Sequence, residues 1–214
     1  MMAMDQKKHW EKVYAEKTPE EVSWYQSSPN LSLKMIATTQ LSLTDPIIDI
    51  GCGASTLLDH LVTLGYSDIT VLDISKTALS CAQKRLGEAG KNIRWEEANI
   101  CAFKPQHSYI LWHDRAVFHF LTDPGERAQY LQVLNSSLAP GGYVILATFA
   151  LDGPEKCSGL PVQRYSSELL KQTLGGSYQP LLQDQEIHRT PAGREQKFIY
   201  TLFKKSSEKN NIAS

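Results

Sequence analysis

The chain has 214 residues, and several functional classes are excluded by what it lacks. No run of about 18 apolar residues occurs, which is the length a membrane-spanning helix needs, so no membrane partner is expected. The stretch from Met1 to Glu20 is polar and charged, without the apolar core of a secretory signal, which favours the cytoplasm. Charge of one sign is scarce as well. A formal net charge of -1 provides no global field toward nucleic acid, and no basic stripe with interleaved aromatics appears. The four cysteines, Cys52, Cys81, Cys101 and Cys157, form no CxxC pair and no His/Cys cluster at zinc spacing. Isolated reduced thiols and no metal site are the expectation. Internal repeats and long linkers are also missing.

The most informative segment is Ile47-Ile48-Asp49-Ile50-Gly51-Cys52-Gly53-Ala54-Ser55. An apolar run ends in an acid and two glycines, and a helical pattern follows. This is a strand, a tight turn and a helix start, where glycine lets a ligand approach the backbone. A second strand, Asp68 to Asp73, ends in another acid, a placement that suits a pair of ribose hydroxyls. A nucleoside-like cofactor is therefore expected. Three adenine-nucleotide readings compete for it. The P-loop signature is absent, and the dinucleotide fingerprint fails because Thr56 occupies its third glycine position. Asp49 stands two residues before Gly51, leaving a carboxylate at the mouth of the turn. That charge repels a diphosphate and attracts an ammonium group.

The rest of the chain alternates between strands and helices. A helix over residues 5–17, with Trp10, Val13 and Tyr14 on one side, and a second helix starting at Ser28-Pro29 come first. Strand 46–50 leads to helix 55–64, strand 68–73 to helix 76–89 with Ser75 as N-cap, and a short strand lies near 92–96. Strand 108–113 runs into a short helix around 115–120. Asp123-Pro124 opens a helix to about Leu138, and Pro140-Gly141-Gly142 turns into strand 143–149. Alternation of this kind implies βαβ units and an α/β, mainly parallel sheet with helices on both faces. The last third departs from it: a loop over 151–163, a helix near 166–174, and a hairpin of 178–188 with 196–204. Residues 205–214 read as a solvated tail.

In this order the motifs resemble those of the class I S-adenosylmethionine-dependent methyltransferases, from about Asp45 to Lys204. Ile48 to Gly53 resembles that family's first glycine motif. Leu72-Asp73-Ile74-Ser75 is similar to its second-strand acid motif, Ala98-Asn99-Ile100 to its adenine-edge motif, and Leu138 to Gly142 to its turn before the fifth strand. The resemblance implies a doubly wound, seven-stranded sheet whose final strand is antiparallel to the rest. It implies S-adenosylmethionine as the cofactor, with the methionyl part lying on Gly51 and Gly53 and its amino group oriented by Asp49. Asp73 would accept the ribose hydroxyls, Ile74 would pack on adenine, and Asn99 with the Ile100 amide would read the adenine edge. Asn99 stands where the family commonly has an acid, and Ser55 where it commonly has a further glycine. Each of these residues also has a plainer structural use, Asp49 and Asp73 as helix caps and the glycines as an ordinary turn.

Methyl transfer from a sulfonium is an in-line displacement, so alignment supplies much of the acceleration. A base is needed only where the acceptor must lose a proton. Active sites of open α/β sheets lie beyond the strand carboxyl ends. The fourth strand ends in Trp112-His113-Asp114-Arg115, and His119 follows. Asp114, Arg115 and His119 are the catalytic candidates. The alternatives are an Asp114–Arg115 ion pair that holds the strand end, and core positions for His113 and His119. Trp24 and Tyr25 are expected in a lid formed by residues 1–44, over a methyltransferase domain spanning 45–204. Arg164 and Tyr165 are candidates for contact with an anionic acceptor. The absence of a separate target-recognition domain favours a small-molecule acceptor. A protein lysine is the runner-up, and a non-catalytic cofactor-binding module is the reading from another class. The Asn/Asp-Pro-Pro-Tyr/Phe tetrad of enzymes that methylate nucleic-acid amino groups is absent after the fourth strand.

Overall fold

The computed structural model describes residues 3–53 and 55–207. Strands β1 (Ile47–Ile50) and β2 (Ile69–Asp73) are buried at every position. Such unbroken burial marks parallel strands covered on both faces. They join β3 (Arg94–Glu97), β4 (Tyr109–Arg115), β5 (Leu138–Phe149), β8 (Tyr178–Arg189) and β9 (Glu195–Lys205) in one sheet, ordered β3-β2-β1-β4-β5-β9-β8. The first five strands in this order pair in parallel, and β9 runs antiparallel to both β5 and β8. The strand order reverses at β1, which lies between β2 and β4. The crevice beyond the carboxyl ends of β1 and β4 is thus the switch point where such sheets bind ligands.

Among the described residues six α-helices accompany the sheet: α1 (Ala3–Glu16), α2 (Asn30–Thr39), α3 (Leu57–Thr63), α4 (Lys76–Leu86), α5 (Pro124–Ser137) and α6 (Ser167–Leu174). Ser75 caps α4 by accepting from the Ala78 amide, and Asp123 caps α5 through Gly125 and Glu126. The core divides into two clusters. One gathers Trp112, Phe118, Tyr130, Leu134 and Phe203, and the other gathers Met35, Ile36, Leu111, Ile145 and Phe149. Along β4 the pleat sends successive side chains to opposite faces. Trp112 and Asp114 meet Tyr130, while His113 meets Ser32 of α2.

Several boundaries differ from the sequence expectation. Strand β5 begins at Leu138 rather than 143, because Leu138 already pairs with Tyr109 and the register shifts before Leu111. Helix α4 stops at Leu86, where Gly87 turns to positive φ, and a 3-10 turn carries the chain to Gly90. The expected loop over 151–163 contains a small ribbon, β6 (Lys156–Cys157) with β7 (Leu160–Pro161). Its connecting residues Ser158 and Gly159 both have positive φ, as a tight two-residue hairpin turn requires. Of the tail expected over 205–214, Lys205 still belongs to β9, and residues 208–214 lie outside the described part. Among the described residues, no helix is long and apolar enough to cross a membrane.

Candidate active site

Two cavities open at the switch point. The larger, of about 190 Å³, is lined on one side by Gly51, Leu72, Asp73, Ile74, Asn99 and Ile100. Its other side is formed by Trp24, Arg115, Ala116, Val117 and Phe120. Trp10 and Tyr14 of α1 and Leu160 and Pro161 of the ribbon add further walls. The smaller, of about 30 Å³, is lined by Tyr25, Gln26, Asp49, Cys52 and His113, and shares Trp24, Gly51 and Arg115 with the larger. Of the residues expected to hold the cofactor, Gly51, Asp73, Ile74, Asn99 and Ile100 line the larger cavity and Asp49 the smaller, while Gly53 lines neither.

The glycine turn is tightly constrained. Gly51 and Gly53 have φ of 64° and 50°, the left-handed region that disfavours side chains. A Cβ on Gly51 would lie 2.1 Å from Val117, and one on Gly53 would lie 2.2 Å from the Tyr14 hydroxyl. Asp73 is the clamp of this turn. Its Oδ2 accepts from the Gly53 amide at 2.8 Å, and its Oδ1 accepts from the Ser75 amide at 2.8 Å. Burial pushes its carboxyl up to about 6, while those two amides pull in the other direction. Each oxygen keeps a further lone pair for a ligand hydroxyl. Asn99 uses its Oδ1 on the Cys101 amide at 2.9 Å, which caps the 3-10 turn Ile100–Ala102 and presents that turn to the cavity.

Asp49 faces His113 across the β1–β4 register, and its Oδ1 lies 2.6 Å from His113 Nδ1. His113 Nε2 lies 2.9 Å from the Ser32 hydroxyl, completing a buried chain of polar groups. This pairing was not foreseen, because only the β1–β4 register brings the two residues opposite each other.

The catalytic candidates separate. Asp114 is fully buried behind the wall and lines neither cavity. It accepts from the Val117 and Phe118 amides at 2.9 and 3.2 Å and from the Tyr130 hydroxyl at 2.7 Å. Burial raises its carboxyl to about 6, opposed by these donors. The alternative, an Asp114–Arg115 pair, does not form, because neighbouring strand residues point to opposite faces. His119 is also fully buried and lines neither cavity. It packs against Phe120 and Phe149, and burial pushes its imidazole down to about 3. The structure thus corrects the placement of Asp114 and His119 beside the reacting groups. Arg115 alone of the three reaches the cavities.

Trp24 lines both chambers and Tyr25 the smaller one. Arg164 and Tyr165 line neither; Arg164 instead reaches the Gly153 carbonyl and Glu155. The sequence reading missed Phe120, Leu160 and Pro161 as wall residues. It took Trp10 and Tyr14 only as the apolar side of a helix. In fact Trp10 packs on Trp24 at 5.5 Å and on Phe120 at 5.1 Å between ring centres, so α1 roofs the site. Glu11 anchors this roof by accepting from the Lys76 and Thr77 amides at the start of α4.

Comparison with known proteins agrees with this geometry. Residues 47–142 match a family model described as a methyltransferase domain. The chain is 27% identical over 135 residues to a ubiquinone biosynthesis O-methyltransferase of Paraburkholderia phymatum, covering 62% of this chain and 52% of that protein. It is 24% identical over 139 residues to the eEF1A lysine and N-terminal methyltransferase of Bos taurus, covering 64% and 19% respectively. The chain therefore spans about half or less of the length of these curated relatives. Among solved structures it is similar to a Burkholderia thailandensis 1,6-didemethyltoxoflavin-N1-methyltransferase bound to its namesake and S-adenosylhomocysteine. There the TM-score is 0.66 at 15% identity, with 95% of this chain and 87% of that one covered. Sheet order, glycine turn and matched segment together support a class I S-adenosylmethionine-dependent methyltransferase.

Proposed function

We propose that this chain is an S-adenosylmethionine-dependent methyltransferase that acts on a small molecule. The observation that carries the reading is the meeting of Gly51, Asp73, Ile74, Asn99 and Ile100 on one wall of a cavity whose far wall belongs to Arg115, Trp24 and Phe120. The residues present fit the cofactor. Asp73 offers its remaining lone pairs to the ribose hydroxyls, Ile74 packs on the adenine ring, and Asn99 with the Ile100 amide reads the adenine edge. Gly51 and Gly53 leave room for the methionyl part, and Asp49, held by His113, faces its amino group. The bound cofactor supplies an electrophilic methyl group, and the protein's task is to align the acceptor with it.

The walls support a small acceptor. Helix α1, Trp24 and the β6–β7 ribbon enclose the far end of the cavity. A roof of this kind excludes water from a displacement that needs none. In this reading residues 1–44 form the lid over a domain of 45–204. The location is cytoplasmic, in keeping with four cysteines that are all unpaired.

Calorimetry against S-adenosylhomocysteine and NAD tests the cofactor assignment. Binding of the former alone is expected, and tight NAD binding without the former would overturn the reading. Turnover of labelled cofactor with a cell extract tests the acceptor. Label in the small-molecule fraction is expected. Label in protein would point to a lysine acceptor, and a complete lack of label to a binding module.

A further inference from the structure

The far end of the larger cavity has an unusual chemical inventory. Trp10, Trp24, Phe120, Leu160 and Cys157 make it apolar and aromatic, and Arg115 is its one charged group among the described residues. The guanidinium is firmly seated. Nε donates to the Tyr200 hydroxyl at 2.8 Å, Nη1 donates to the Trp24 carbonyl at 2.9 Å, and the group lies 4.7 Å above the Phe198 ring. Nη2 is buried without a hydrogen-bond partner. Glu186 approaches it only to 3.7 Å, because its own oxygens receive Gln26 and Tyr200.

Among the described residues no carboxylate or imidazole lines the cavity at this end; Glu186 stands behind the guanidinium, outside the lining. The lining carboxylates sit at the opposite end, Asp73 between Gly53 and Ser75, and Glu126 where its carbonyl meets Cys101, next to Asn99 and Ile100. His113 is occupied by Asp49 and Ser32, and His119 lies behind the wall. The Cys157 thiol is pushed up to about 11 by burial and stays protonated. An alcohol or an ammonium ion would find nothing here to take its proton. An ammonium would also face a like charge.

We propose that the acceptor is a small, mainly apolar molecule that reacts as an anion, a carboxylate or a thiolate, held by the open Nη2 of Arg115. This rests on the methyltransferase reading above. The acceptor's lone pair forms the bond to the methyl carbon, the carbon–sulfur bond of the donor breaks with its electron pair left on sulfur, and no proton changes hands. Anion and sulfonium cation become two neutral products, a change that apolar walls favour over water. Arg115 then selects the acceptor by its charge.

A matched series on one scaffold tests this: phenylacetate, benzyl thiol, benzylamine and benzyl alcohol. Calorimetry on protein saturated with S-adenosylhomocysteine should show phenylacetate or benzyl thiol binding, with benzylamine at least tenfold weaker. Mass spectrometry of turnover should find a methyl ester or a thioether, and which one appears identifies the nucleophile. Arg115→Gln should lose at least tenfold in acceptor affinity while S-adenosylhomocysteine affinity stays within about twofold. Should that variant fail to fold, Arg115→Lys keeps the charge and should retain the anion preference. Preferential methylation of the amine or alcohol, or no response to any probe while S-adenosylhomocysteine still binds, would overturn the inference and leave the cofactor reading intact. Equal loss of homocysteine-compound affinity in Arg115→Gln would instead assign the guanidinium to the cofactor carboxylate and also overturn it. Wild-type protein that fails to bind S-adenosylhomocysteine would bring down both.

Discussion

The two sides of the crevice are built from different materials. Beside β1, β2 and β3 the wall is largely backbone: a glycine turn, the Ile100 turn, and carboxyl and amide side chains that hold those turns in place. Beside β4 and the segment after it the wall is made of side chains from distant elements: Trp10 and Trp24 from the N-terminal region, Arg115 from β4, and Leu160 from the ribbon. The first side is local in sequence, so its function is written in contiguous motifs. The second is assembled by packing. Its chemistry depends on which face each side chain takes, and a single residue of displacement reverses that face. Asp114 and Arg115 are neighbours in the chain, yet one is a buried brace and the other a cavity residue.

The largest test of this contrast is Asp114→Ala. It would leave the Val117 and Phe118 amides and the Tyr130 hydroxyl without their acceptor. Buried donors stranded in this way cost about 1–3 kcal/mol each. Urea unfolding should show a loss of at least about 3 kcal/mol. Unchanged stability together with lost turnover would return Asp114 to the acceptor side.

Next in size is Asp73→Ala, expected to weaken S-adenosylhomocysteine binding by about 1–3 kcal/mol, the scale of hydrogen bonds to a charged acceptor. Unaltered affinity in the folded variant would make Asp73 a brace like Asp114 and erase the contrast. The same carboxyl predicts a pH effect. Its folded pKa is raised to about 6, and the ionised form is the better acceptor for ribose hydroxyls. Affinity should therefore be full above pH 6 and fall as pH drops through 6, approaching about tenfold per unit. Titrations at several pH values check this, and Asp73→Asn should flatten the profile. Affinity that rises toward acid would show that the protonated carboxyl is the one in use.

Smallest is Glu11→Gln at the α1–α4 contact. A charge at a helix N-terminus contributes about 0.3–1 kcal/mol. The change should be read as faster amide exchange in α1 with little change in overall stability. Protection that is equal in both proteins would mean that aromatic packing alone holds the roof.

Much of the fold was readable in advance, for identifiable reasons. Gly51, Gly53, Asp73 and Ser75 perform local tasks, a positive φ, a turn clamp and a helix cap, which only a few residue types can fill. The hairpin ribbon at 156–161 was not readable. Ser158 and Gly159 set its turn, but its strands are two residues each, too short for any periodicity. The Asp49–His113–Ser32 chain joins α2, β1 and β4, and no window of sequence contains it.

By itself, then, the order of residues determined the alternating architecture and the glycine-turn wall, because strand burial, glycine conformation and capping act over a few neighbours. The wall around Arg115 was decided only in three dimensions. There the pleat of β4 and the docking of α1 chose which charged group faces the cavity, and burial placed Asp114 and His119 outside both cavity linings.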